Sequence, residues 1–171
     1  MRRIYLVGFM GCGKSVIGQH LATKLGYAWV DLDTLLVKRQ GCEIAQIFDT
    51  YGEAYFRKLE TLLLRESKKW NKVVISTGGG IVMQEENRFL LKEEETFYLA
   101  WEGKTLYERV LADPSRPLAS NREKLETLYE LRLPLYEDIA AHKVWCEGKT
   151  PQRVVEEIIK AMEETNENSC H

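Results

Sequence analysis

Gly8-Phe9-Met10-Gly11-Cys12-Gly13-Lys14-Ser15 fits the pattern G-x-x-x-x-G-K-[ST] throughout. Each part serves the holding of a phosphate chain. Glycines let the backbone wrap closely enough for successive N–H groups to face phosphate oxygens. A helix opening at Lys14 adds its own unpaired N–H groups and the positive end of its dipole. The Lys14 ammonium is expected to reach the β- and γ-phosphates, and the Ser15 hydroxyl to coordinate Mg²⁺. A glycine-rich turn without a ligand is the bland alternative, but the motif lies between an expected strand and an expected helix, the context that supports it. On its own the loop specifies a nucleoside triphosphate. It does not separate a kinase from a GTPase, an ATPase or a motor.

A second set of residues could present an acceptor. Asp31-Leu32-Asp33 follows an expected strand. If the strand persists, alternation puts both carboxylates on one side. One could then help hold Mg²⁺ through water while the other faces a substrate hydroxyl. Asp33 before Thr34 equally fits a helix N-cap. Arg57 and Glu60 share a helix face. They form either an ordinary surface ion pair or a unit in which Glu60 holds Arg57 rigid to grip an anion. Ser76-Thr77-Gly78-Gly79-Gly80 places consecutive glycines at a strand end, which costs backbone entropy; close approach of a ligand would explain them. The segment from Asp113 to Asn121 is either a connector or a mobile lid whose Arg116 binds phosphate. Arg132, where Pro134 interrupts a helical pattern, is either solvated or a carboxylate clamp, for which a planar guanidinium is suited. Cys12 reads as a small filler; a reactive thiolate beside Lys14 is the alternative.

The elements that must position these residues follow from apolar spacing. Strands are expected at Ile4 to Phe9, Ala28 to Val30, Val73 to Ser76 (central), Thr96 to Leu99 and Lys143 to Cys146. Helices are expected from Lys14 to Leu25, with Val16, Ile17, Leu21 and Leu25 inward and Gly26 as C-cap, then over Thr34 to Trp70 with breaks near Gly41 and Gly52, Thr105 to Leu111 and Arg153 to Met162. Strands alternating with helices imply a parallel sheet, whose ligands bind beyond the carboxyl ends of the strands. The motifs fall there.

The whole chain sets broad limits. Its 171 residues suffice for one domain, expected over 1–171. A net charge of -2 offers no basic face for nucleic acid. Arg2 and Arg3 precede an apolar run, but Gly8, Gly11, Gly13 and Lys14 interrupt it and no cleavage site follows. No apolar stretch is long enough to span a bilayer, so a cytoplasmic location is expected. Cys12, Cys42, Cys146 and Cys170 are scattered, as are His20, His142 and His171, which argues against disulfides or a zinc site. The polar tail from Thr165 to His171 is expected to fray.

Together GFMGCGKS, DLD, FRKLE, STGGG, RPL and RxPLY, in this order and spacing, resemble the shikimate kinase family over the chain as far as about Tyr136. The resemblance implies an α/β P-loop kinase fold, a five-stranded parallel sheet flanked by helices with a mobile lid at about 112–122. It implies transfer of the ATP γ-phosphoryl to the 3-hydroxyl of shikimate, with Mg²⁺, by a cytoplasmic enzyme that is a monomer and binds neither nucleic acid nor membrane. Gly11, Cys12, Gly13, Lys14, Ser15 and Val16 would bind ATP, with Arg109 near the adenine and Arg116 closing over the phosphates. Ser15 would serve Mg²⁺, and Asp31 would do so through water. Asp33 would face the reacting hydroxyl. Arg57, held by Glu60, and Arg132 would bind the carboxylate, Gly78, Gly79 and Gly80 the ring, and Phe48 and Phe56 would shape the wall. Lys14, Asp33 and Arg116 would carry the chemistry. The family's lid commonly reads R-P-L-L, and here Ala119 stands last; the segment Gly148 to Gln152 matches only loosely. The alternatives are another small-molecule kinase on this scaffold, such as a gluconate kinase, which has no reason to combine these acceptor residues, and a nucleotide-binding module without an acceptor site.

Overall fold

The computed structural model describes residues 2–114 and 121–169. In chain order the elements are β1 (Arg3–Val7), α1 (Lys14–Leu25), β2 (Ala28–Asp31), α2 (Leu32–Gln40), α3 (Ile44–Tyr51), α4 (Glu53–Ser67), β3 (Val73–Ser76), a 3₁₀ turn (Ile81–Met83), α5 (Glu85–Lys92), β4 (Glu95–Ala100), α6 (Gly103–Leu111), α7 (Arg122–Ile139), β5 (His142–Trp145) and α8 (Pro151–Asn168). The strands form one five-stranded sheet in the order β2-β3-β1-β4-β5, and every pairing is parallel. Parallel strands covered by helices on both faces must be apolar throughout. Ile4 to Val7 in β1 and Val73 to Ile75 in β3 are accordingly buried along their length.

Several boundaries differ from the sequence expectation for physical reasons. β1 ends at Val7, because the backbone turns into the phosphate loop at Gly8. β3 is interior, but the centre of the sheet is β1. The long helical stretch does break at Gly41 and Gly52, each of which caps the preceding helix. Pro134 does not interrupt its helix: α7 runs through it to Ile139. Arg132 and Tyr136 are buried on either side of it, so packing outweighs the hydrogen bond that proline forgoes. α8 continues beyond Thr165 to Asn168 rather than fraying there, with the Thr165 hydroxyl donating to the Ala161 carbonyl. α5 and the 3₁₀ turn had no counterpart in the sequence reading. Val16, expected inward, is 49% exposed.

Arg2 and Arg3 do structural work at the amino edge of the sheet. Arg2 pairs with Glu95 at 3.0 Å. Arg3 pairs with Glu94 at 3.0 Å, tying the start of β1 to the start of β4.

Candidate functional site

β1 delivers the chain into the phosphate loop, and α1 begins at Lys14. Gly11 and Gly13 have φ of 81° and 94°, the left-handed region that L side chains rarely adopt. The Lys14 ammonium donates to the carbonyls of Gly8 at 2.6 Å and Phe9 at 3.1 Å, inside the loop. The Ser15 hydroxyl donates to Asp31 at 2.7 Å. β2 ends at Asp31, so the two aspartates do not share a strand face. Asp31, not Asp33, is the N-cap of α2, accepting from the Thr34 amide at 3.0 Å. Asp33 lies in the first turn of that helix. Cys12 is 1% exposed, with its sulfur 3.5 Å from the Lys14 nitrogen, so its thiol is shielded from solvent.

The end of β3 locks this loop in place. The Ser76 hydroxyl donates to the Lys14 carbonyl at 2.7 Å, and the Trp29 indole donates to Ser76 at 3.0 Å. The Thr77 hydroxyl donates to the Leu6 carbonyl at 2.8 Å. On the other flank, the Trp101 indole donates to the Cys12 carbonyl at 3.0 Å, while Arg109 lies over its ring at 4.4 Å. Sequence reasoning missed Trp29 and Trp101. Their partners are distant in the chain, so no local signal marks them.

Gly78 and Gly80 are glycines for reasons of space; at Gly79 a Cβ would make only ordinary contacts. A Cβ on Gly78 would come 2.7 Å from Asp33 Oδ1 and 3.1 Å from Glu60 Oε2. A Cβ on Gly80 would come 2.6 Å from the Arg57 Cζ. One on Gly79 would lie 3.5 Å from both an Arg132 nitrogen and the Met10 amide nitrogen of the phosphate loop. The expected close approach is therefore made by the protein's own charged side chains.

Arg57 and Glu60 pair at 3.0 Å, and Glu60 is only 2% exposed; this is no surface ion pair. Burial pushes the Glu60 carboxyl up to about 7; Arg57 opposes the shift and Asp33 adds to it. Among the described residues its Oε2 has no hydrogen-bond partner, nor does the Nε of Arg132. Arg132 is 7% exposed. Burial lowers its pKa, and the Arg57 charge works in the same direction. One turn on, the Tyr136 hydroxyl donates to the Gly79 carbonyl at 2.5 Å, fixing α7 to the glycine strip. Phe48 and Phe56 meet edge to face at 4.9 Å, and Arg57 lies over the Phe56 ring.

The structure thus brings Asp33, Arg57, Glu60, Arg132 and Gly78 to Gly80 together, directly beside the phosphate loop. Arg116 lies outside the described residues, as does much of the segment expected to form a lid. A separate groove of about 690 Å³ opens at the amino edge of the sheet between Arg2, Asn71, Glu95 and His142, away from all of these groups.

The family profile described as Shikimate kinase matches residues 10–163. The chain belongs to the shikimate kinase family. A shikimate kinase from Enterococcus faecalis is 43% identical over 169 residues, covering 96% of this chain and all of that protein. A solved shikimate kinase from Acinetobacter baumannii, in complex with shikimate, superposes with a TM-score of 0.90 at 32% identity, covering 96% of this chain and 94% of that one. A gluconokinase from Sinorhizobium meliloti reaches 0.62 at 17% identity over 98% and 94% of the two chains, which shows a shared fold and nothing more. Shikimate kinases are ATP-dependent phosphotransferases, and the five-stranded parallel sheet is the frame expected of one.

Proposed function

We propose that this chain transfers the γ-phosphoryl group of ATP to the 3-hydroxyl of shikimate, giving shikimate 3-phosphate and ADP on the route to chorismate. The observation that carries the reading is the position of Gly79, where an added Cβ would touch both Arg132 and Met10 of the phosphate loop. A kinase needs its acceptor pocket to open onto its phosphate site; a nucleotide-binding module does not. Two guanidiniums, Arg57 and Arg132, converge on that pocket and suit the shikimate carboxylate. No observation favours gluconate.

Phosphoryl transfer has a loose transition state, so the protein chiefly positions groups and balances charge. In this scheme Lys14 turns from the carbonyls of Gly8 and Phe9 to the β- and γ-phosphates. Asp33 orients the acceptor hydroxyl and takes its proton late. Glu60 fixes Arg57 on the carboxylate. Arg116 is assigned on its motif alone to the phosphate charge, and a lid around it would exclude water. The adjoining oxygens of Ser15 and Asp31 fit Mg²⁺, a hard cation that takes oxygen ligands, and these two residues would hold it, Asp31 through water. When bound, the ion shields charge on the phosphates.

No described helix is long and apolar enough to cross a membrane. We propose a cytoplasmic enzyme that is a monomer, and sedimentation of the purified chain checks the oligomeric state. The function itself is tested by coupled ADP release with MgATP, with and without shikimate, and with gluconate as comparator. Shikimate-dependent turnover over a low background is expected. ADP release indifferent to shikimate, with ATP still bound, would remove the acceptor assignment and leave the phosphate loop standing.

A further inference from the structure

The geometry points to Trp101 as a positioning residue for the nucleotide, one that fixes the phosphate loop and the purine side of the site together. Its indole N–H donates to the Cys12 carbonyl at 3.0 Å, within the phosphate loop. The Arg109 guanidinium lies 4.4 Å above the same ring. Arg109 also reaches the loop, since a Cβ on Gly11 would lie 4.0 Å from the Arg109 Cβ. The Trp101 main chain is itself held, because the Tyr129 hydroxyl donates to the Trp101 carbonyl at 3.1 Å. Tyr129 in turn packs edge-on against Phe9 of the loop, with ring centroids 5.5 Å apart.

A guanidinium held over an aromatic face by cation–π attraction is confined there, and Arg109 remains exposed to solvent. A long arginine without such a backing samples many rotamers, and ordering it on binding costs entropy. Trp101 therefore presents the outer face of Arg109 as a preformed platform for a planar base, the purine of the nucleotide. Through Cys12 it keeps the platform in register with the amides that hold the phosphates. The acceptor pocket lies across the loop, and none of these contacts reaches it.

This inference rests on the placing of Arg109 beside the purine, and three variants separate the two. In Trp101→Leu the loss of both stack and hydrogen bond raises the ATP KM about tenfold or more, leaving the shikimate KM within about twofold. Trp101→Phe keeps the stack and loses only the N–H, so it restores most of that loss. Arg109→Ala raises the ATP KM alone. In a chain whose Trp29, Trp70 and Trp145 are replaced by Phe, ADP binding is expected to change the emission of Trp101. An unchanged ATP KM in Trp101→Leu beside a raised one in Arg109→Ala overturns the inference and spares the placing of Arg109. An unchanged ATP KM in Arg109→Ala removes that placing. Equal increases in both KM values identify a merely structural role and overturn the inference. Should Trp101→Leu fail to fold, the chain with Trp101 as its sole tryptophan decides: emission that ignores ADP at saturation overturns the inference.

Discussion

Glu60 is the residue whose setting departs furthest from its ordinary chemistry. Its carboxyl is nearly inaccessible, one oxygen has no described hydrogen-bond partner, and its pKa is pushed from 4.5 up to about 7 by burial. A carboxyl raised in the folded state favours folding when protonated. That contribution is full below the ordinary value and is lost as pH rises through about 7. In the substrate-free enzyme, stability should therefore fall by up to about 3 kcal/mol from this group as pH rises across that window. Urea melts of Glu60→Gln should show a flatter pH profile than the wild type; equal slopes would exclude the effect. Asp33 belongs to the same scale. Its closeness to Gly78, not a place in a strand, sets it in the pocket proposed for the acceptor. Asp33→Asn should lower kcat by about two orders of magnitude while ATP affinity stays near the wild-type value. Steady-state kinetics with a separate nucleotide-binding titration check this. The sequence could mark both residues as candidates. Apart from the family resemblance, it could not order Asp31 and Asp33, because that depends on where β2 stops.

At the scale of elements, the glycine strip after β3 matters most. Three helices aim charged side chains at it: Asp33 from α2, Arg57 and Glu60 from α4, and Arg132 from α7. Arg57 has little freedom to yield, since Glu60 holds it. Gly80→Ala should displace its guanidinium, raising the shikimate KM about tenfold and destabilising the fold by roughly 1–3 kcal/mol. The ATP KM should hardly move, and kinetics beside a thermal melt would show whether the damage is confined in this way. The phosphate loop and α1 were legible from sequence because loop, helix start and capping Gly26 are contiguous and local. The run from Thr34 to Trp70 was legible as helical for a similar reason, with glycines at its breaks. α7 was not, because Pro134 is a local signal against a helix, whereas the burial of Arg132 and Tyr136 that sustains it comes from β4 and the glycine strip. The ring of Tyr136 stacks on Tyr98 of β4, centroids 5.3 Å apart. α5 stayed hidden because its helical pattern is short and crowded with charge.

For the molecule as a whole, the sheet separates two kinds of electrostatics. At its amino edge Arg2, Arg3 and Lys68 are matched by Glu94 and Glu95. At its carboxyl edge the buried Arg132 carries a pKa lowered by burial, and Glu60 one raised by it, which marks both as poorly solvated. An anion entering that pocket supplies charge that the folded enzyme otherwise lacks. Shikimate alone should therefore raise the melting temperature. At a hundredfold excess over its Kd the gain is about 2.7 kcal/mol, or a few degrees for a chain of this size. Differential scanning fluorimetry reads it, and no shift at saturation would argue that the pocket does not bind shikimate on its own. The alternation of strands and helices foretold this division in outline, since parallel sheets gather their ligands at one edge.

The glycine strip also bears on how such a pocket can change over generations. Its floor is main chain, and at Gly78 and Gly80 neighbouring charges pack so closely that no side chain can be added without dislodging one of them. Mutation therefore has almost no purchase there. A lineage drifting toward a different acceptor would have to redraw the walls, at Phe48, Phe56 or the helix that carries Arg132, while the floor stayed as it is.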